Sequence, residues 1–148
     1  MNLKYMELAF NEAEKAFKHN EVPVGAVIVK NDKVIAKAYN KKEKSYCSVN
    51  HAEIIAIKKA SRKLKNWRLE NCDIYVTLEP CPMCASAIKQ ARIKNVYSAL
   101  HNNDLNNGVL IRQIFSTDRV NPEVNFVNDL CVNKSETLLQ KFFSCRRK

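Results

Sequence analysis

One stretch constrains this chain more than any other. Ile74-Tyr75-Val76-Thr77-Leu78 reads as a buried strand, and Glu79-Pro80-Cys81-Pro82 stops it. Proline cannot donate to a strand ladder, yet it fits the first turn of a helix. A helix from about Cys81 to Ala91 follows, and then a strand at Val96-Tyr97. Strand, helix and strand in that order make a crossover, which sets the two strands parallel with a right-handed connection.

The rest of the chain supplies partners for that unit. Met6, Ala9, Phe10, Ala13, Ala16 and Phe17 recur at helical spacing, so an amphipathic helix precedes it and ends near His19-Asn20. Val24 to Val29 is a strand too continuously apolar to be half exposed. With Asn31-Asp32 as the turn and a strand around Val34-Ile35-Ala36, it forms a hairpin. Lys41 to Asn50 is a polar loop. Ile54, Ile55, Ile57, Ala60 and Leu64 then trace a helix that starts near His51 and ends before Trp67. Beyond the crossover, His101 to Gly108 is an asparagine-rich loop. Leu110, Ile111, Ile114 and Phe115 mark a short helix, Val124 to Val127 a last strand, and Leu138, Leu139, Phe142 and Phe143 a terminal helix. No repeat or linker interrupts the 148 residues, which predicts one domain spanning 1–148.

Composition removes several classes of function. No stretch approaches the ~18 uninterrupted apolar residues of a membrane helix, so a spanning helix is excluded. Met1 to Phe10 mixes Lys4 and Glu7 among its apolar residues and lacks an export-type hydrophobic segment. That points to the cytoplasm and to reduced thiols for the six cysteines at 47, 72, 81, 84, 131 and 145. The two glycines, Gly25 and Gly108, cannot make a phosphate-cradling glycine loop, which excludes Walker and Rossmann nucleotide binding. Twenty-five basic against fifteen acidic residues leave a net charge of +10, a field suited to a polyanion. Six of the basic residues (Lys58, Lys59, Arg62, Lys63, Lys65 and Arg68) fall in one acid-free stretch. They form either a nucleic-acid surface or a solvated helix face.

The residues that carry chemistry open two helices. His51-Ala52-Glu53 begins one, and Pro80-Cys81-Pro82-Met83-Cys84 begins the other. Cysteines three apart at a helix start share a face, and the helix-start dipole favours the thiolates that a metal wants. One imidazole and two thiolates give zinc three ligands and leave the fourth tetrahedral position to water, as in catalytic sites. Zinc brings bound water from a pKa of 15.7 to about 7, which supplies hydroxide to attack an amidine-type carbon. Glu53, two residues from a ligand, is then placed to accept the water proton and pass it on. Two alternatives use the same residues. Cys47 as a fourth ligand would close the site into a structural one, and Cys81 with Cys84 as a redox pair would leave His51 and Glu53 without a purpose.

The chain resembles the zinc-dependent nucleobase deaminases, and among them the bacterial tRNA-specific adenosine deaminases. The segments that carry the resemblance are Glu21-Val22-Pro23-Val24-Gly25-Ala26-Val27, Tyr39-Asn40, His51-Ala52-Glu53-Ile54, Asn66-Trp67-Arg68-Leu69 and Tyr75-Val76-Thr77-Leu78-Glu79-Pro80-Cys81-Pro82-Met83-Cys84, in order and spacing. The resemblance spans nearly the whole chain. It implies one zinc ion per subunit on His51, Cys81 and Cys84, with Glu53 as proton shuttle and zinc-bound hydroxide as nucleophile. The implied reaction converts adenosine to inosine at the wobble position of a tRNA anticodon, and Asn40 would hydrogen-bond the flipped nucleoside. Also implied are a three-layer α/β/α cytidine-deaminase-like fold with a five-stranded mixed sheet, and a homodimer whose groove for the anticodon stem-loop draws on both subunits. Candidate RNA contacts are Lys63 and Lys65 of the basic stretch, and Phe142, Phe143, Arg146 and Arg147 of the terminal helix. The chain departs from the family at Ser98-Ala99-Leu100-His101, where relatives usually have Gly-Ala and then Asp. His101 is therefore a further candidate contact, and flanking-nucleotide preference is open. Two other functions compete: deamination of a small base or nucleoside such as guanine or cytidine, and RNA binding without catalysis.

Overall fold

A computed structural model describes residues 1–104, 106–116 and 121–146, with residue 146 described through its backbone alone. Among the described residues, five helices and five strands follow one another as α1 (Leu3–Lys18), β1 (Gly25–Lys30), β2 (Lys33–Tyr39), α2 (Ala52–Leu64), β3 (Cys72–Val76), α3 (Pro82–Gln90), β4 (Asn95–Ser98), α4 (Asn107–Phe115), β5 (Asn125–Val127) and α5 (Val132–Arg146). The strands form one mixed sheet in the order β2-β1-β3-β4-β5. β1 is antiparallel to both β2 and β3, while β3, β4 and β5 run parallel. The crossover, the hairpin and the five-stranded mixed sheet all match the sequence reading.

Side-chain alternation along the strands builds two cores, because successive residues of a strand face opposite sides of the sheet. Ala26, Ile28, Ile74, Val76 and Val96 pack under Ala52, Ala56 and Ala60 of α2, Ala85 and Ile88 of α3, and Ile111 and Phe115 of α4. Val27, Val29, Tyr75 and Tyr97 face the other way, against Tyr5, Met6, Ala9 and Phe10 of α1, with Leu138 of α5 packed alongside. Helices therefore cover both faces, and the three layers are α2/α3/α4, the sheet, and α1/α5.

Two local devices fix this geometry. Asn31 and Asp32 both take positive φ, at 50° and 59°, the backbone of a two-residue hairpin turn whose twist matches its strands. At Gly25, α1 lies so close to β1 that an added Cβ would sit 2.0 Å from the Ala9 carbonyl oxygen and 2.6 Å from the Ala13 nitrogen. Both obstacles are helix backbone, so only glycine fits there. The Gly25 N–H also donates to Thr77 Oγ1 at 3.1 Å. β3 stops at Val76, two residues short of the apolar run. Past it the chain turns toward β4, and the Glu79 N–H donates to the Leu100 carbonyl at 2.7 Å.

Candidate active site

The site forms where β3 ends and where α2 and α3 begin. His51 caps α2 and Cys81 caps α3, both with extended backbone (φ −70° and −71°), and neither side chain makes a capping hydrogen bond. The N-cap side chain ordinarily satisfies an orphan N–H of the first turn. Here both caps point at each other instead. His51 Nδ1 lies 3.7 Å from Cys81 Sγ and 3.5 Å from Cys84 Sγ, and the three donor atoms all fall within 4.8 Å of one another. Pro82 occupies the first helical turn, and Cys84, one turn on, is fully buried beneath the pair.

These spacings fit zinc. Zn–S bonds of ~2.3 Å and Zn–N bonds of ~2.05 Å at tetrahedral angles place sulfur and nitrogen ~3.6 Å apart. Protonation in the cluster is shared. The Cys84 thiol, against burial and with help from His51, holds Cys81 down at about 4. Cys84 is driven far up by the Cys81 sulfur and by burial. The His51 ring is raised, first by its hydrogen bond with Cys81. Three crowded donors, one of them held as a thiolate, suit a cation. Cys47 is half-buried and lies outside the cluster, so among the described residues the site has three protein donors and the closed four-ligand alternative lacks its fourth.

Glu53 sits in the first turn of α2, 4% exposed, and its Oε1 is buried with no hydrogen-bond partner. Burial raises its carboxyl above the ordinary range, against its own backbone N–H and the Cys84 thiol. An orphaned buried carboxyl oxygen is costly, and here it lines the cleft that holds the metal donors. The cleft encloses about 300 Å³ and is also lined by Asn40, Val24, Leu78 and Asn102. Asn40 is 7% exposed and is anchored by donating from Nδ2 to the Val22 carbonyl at 3.3 Å, while its Oδ1 accepts from the Lys42 N–H at 3.3 Å.

Two buried carboxylates that sequence reasoning missed hold the cleft rims. Glu79, 3% exposed, accepts from the Asn102 N–H at 3.0 Å and Asn107 Nδ2 at 2.8 Å on one oxygen, and from Asn128 Nδ2 at 2.9 Å on the other. Glu21, 1% exposed, accepts from the Glu43 N–H at 2.9 Å and the Lys44 N–H at 2.7 Å. Neither carboxylate belongs to a hydrophobic period, so the sequence carries no signal for their burial.

The described candidate RNA contacts are spread over the end of α2, the loop after β4 and α5. Lys63 and Lys65 are exposed near the C-terminal end of α2. At 1.5 Å per residue this is ~20 Å along the axis from His51, so they do not line the cleft. His101 is exposed near the rim, and Asp129 Oδ1 accepts from both its backbone N–H and its Nδ1, each at 2.8 Å. Phe142, 4% exposed, packs edge-on against Phe17 with centroids 6.1 Å apart. Phe143 is 46% exposed. The Arg146 side chain and Arg147 lie outside the described residues.

The geometry thus defines a zinc-type donor set with an adjoining acid, and the comparisons agree. The chain belongs to the cytidine and deoxycytidylate deaminase zinc-binding family, whose model matches residues 1–100. It is 39% identical to the tRNA-specific adenosine deaminase of Bacillus subtilis (strain 168), over 97% of this chain and 89% of that protein. Among solved structures it resembles one from studies of A-to-I editing by tRNA:A34 deaminases at the wobble position of transfer RNA. That match has a TM-score of 0.85, 36% identity, and coverage of 93% of this chain and all of the other. A guanine deaminase from Bacillus subtilis is more distant, at TM-score 0.67 and 30% identity over all of this chain and 96% of the other.

Proposed function

We propose that the protein hydrolyses adenosine to inosine at the wobble position of a tRNA anticodon. The observation that carries the chemistry is the orphaned Glu53 oxygen beside three zinc-type donors in a nucleoside-sized cleft. The choice of tRNA rests on the adenosine deaminase relatives and on a net charge of +10, for which a free base has no use.

His51, Cys81 and Cys84 would hold one zinc ion per chain. Bound there, zinc supplies Lewis acidity that lets water attack at neutral pH. Glu53 takes a proton from the attacking water, delivers it to the ring nitrogen next to the amino-bearing carbon, and assists the departing amine. The C–N bond breaks, a carbonyl forms, and ammonia leaves, so one water is consumed per inosine. Asn40 orients the nucleoside, and the buried Glu79 and Glu21 keep the rims in place. The finer parts of the proposal are a cytoplasmic location and a homodimer. Val109 and Leu110, 62% and 42% exposed on α4, offer apolar surface of the kind a second copy covers.

The deciding experiment incubates zinc-loaded protein with an anticodon stem-loop carrying a wobble adenosine and assays inosine. Conversion supports the reading; no conversion, with a relative active under the same conditions, rejects it. The fold shared with a guanine deaminase makes a small base the second reading. Salt separates the two, because each phosphate contact adds nearly one unit to the slope of log affinity against log salt, and a free base has none.

A further inference from the structure

The loop joining Asn40 to His51 connects two cleft residues, and it is tied by hydrogen bonds without being buried. Glu21 grips it from below through the Glu43 and Lys44 N–H groups. Within the loop, Ser45 donates from both N–H (3.0 Å) and Oγ (2.6 Å) to the Lys41 carbonyl. The Tyr46 N–H donates to the Glu43 carbonyl at 3.2 Å, and the Cys47 N–H to that of Lys42 at 3.1 Å. The Lys41 N–H closes the base of the loop on the Asn50 carbonyl at 3.1 Å.

At the tip of this structure Tyr46 is 98% exposed, with φ at 52°. Both facts run against local preference. Left-handed backbone is unfavourable for a bulky side chain, and asparagine or glycine would take it more easily. A fully exposed ring gains no burial in return. The chain thus holds a strained residue in a braced loop and displays its ring to solvent. Lys41, Lys42 and Lys44 stand within five residues of it, and Lys42 lines the cleft. An open aromatic ring on a loop that carries three lysines, one of which lines the nucleoside-sized cleft, is the chemistry that engages unpaired nucleotides.

We propose that Tyr46 stacks on a nucleotide adjacent to the adenosine that enters the cleft. This rests on the reading of RNA as substrate. Moving one base out of the stack leaves its neighbour with a bare face, and the tyrosine ring covers it. Tyr46 then contributes to holding the RNA and not to the chemical step.

Tyr46→Asn removes the ring while suiting the left-handed backbone, so the loop keeps its shape, and Tyr46→Trp keeps a stacking face. On the anticodon stem-loop, Tyr46→Asn raises KM and the anisotropy-measured Kd by roughly 5- to 100-fold, with kcat at saturating RNA unchanged. Tyr46→Trp stays within a few-fold of the unaltered protein, and sedimentation gives all three the same assembly state. Wild-type KM and Kd for Tyr46→Asn overturn the proposal. So does an RNA defect accompanied by altered sedimentation, which makes the ring a subunit contact. Failure of the unaltered protein to bind or convert the stem-loop rejects the RNA reading itself, a result seen before any variant is compared.

Discussion

Truncating Glu79 removes a tie that three separate segments share. Its carboxylate accepts from the Asn102 N–H, Asn107 Nδ2 and Asn128 Nδ2 at 2.8–3.0 Å. Hydrogen bonds to a charged group contribute about 1.5–3 kcal/mol each, and a buried donor left unpaired costs about 1–3 kcal/mol. The Asn107 bond is fully buried and the other two partly so. Water can therefore replace the latter at small cost, while Asn107 loses its partner outright. Glu79→Ala is then destabilising by roughly 3–5 kcal/mol, a large share of the ~5–15 kcal/mol that holds a domain of this kind. In urea the midpoint falls by ~2 M for a slope near 2 kcal/mol/M. Glu79→Gln costs less, since its amide oxygen can keep the Asn102 and Asn107 donors. Two controls make the assignment specific. The Asn102 amide should lose hydrogen-exchange protection, while the residue-79 amide, which donates to the Leu100 carbonyl at 2.7 Å, keeps its own in the folded state. A double-mutant cycle with Asn107→Ala should show ~1.5–3 kcal/mol of coupling. A loss under ~1 kcal/mol for Glu79→Ala, or a cycle with no coupling, refutes the reasoning.

Glu53→Gln should retain zinc and fold while turnover falls by at least ~10²- to 10⁴-fold, whereas Cys81→Ser should lose metal by elemental analysis; wild-type turnover of the first rejects the proton-shuttle role. Reversing Lys63 and Lys65 to Glu tests whether a surface ~20 Å from the metal donors meets RNA: a reduced salt slope places phosphates there, and an unchanged slope returns both to a solvated face. The His101–Asp129 pair sets a pH window. The carboxylate raises the His101 pKa through its hydrogen bond, so that contribution is full below the ordinary histidine value and lost as pH rises through the raised one. Partial burial raises Asp129, but its bonds from His101 prevail and lower it, so its contribution is lost as pH falls through that lowered value. With both partners about half exposed, the difference between wild type and Asp129→Asn should stay within about 1 kcal/mol, largest between the two titrations in thermal melts, and a pH-independent difference contradicts it.

The sequence by itself determined what depends on short stretches of backbone. The turn at Asn31-Asp32, the helix begun at Pro82, the parallel crossover from β3 to β4 and the shared face of Cys81 and Cys84 all follow from local sterics, periodicity and capping, which act within a few residues. Even the donor set His51, Cys81 and Cys84, with Glu53 beside it, was legible, because these residues sit at two helix starts whose chemistry is meaningful before their meeting is known. Only tertiary structure decided which polar groups are buried and what satisfies them. Glu79 draws its donors from 23, 28 and 49 residues away, and Glu21 from 22 and 23. Packing likewise sent Phe142 inward and its neighbour Phe143 outward, and the length of α2 carried Lys63 and Lys65 away from the cleft. A hydrogen bond to a buried charge depends on where remote segments come to rest, and no periodicity within one segment encodes that.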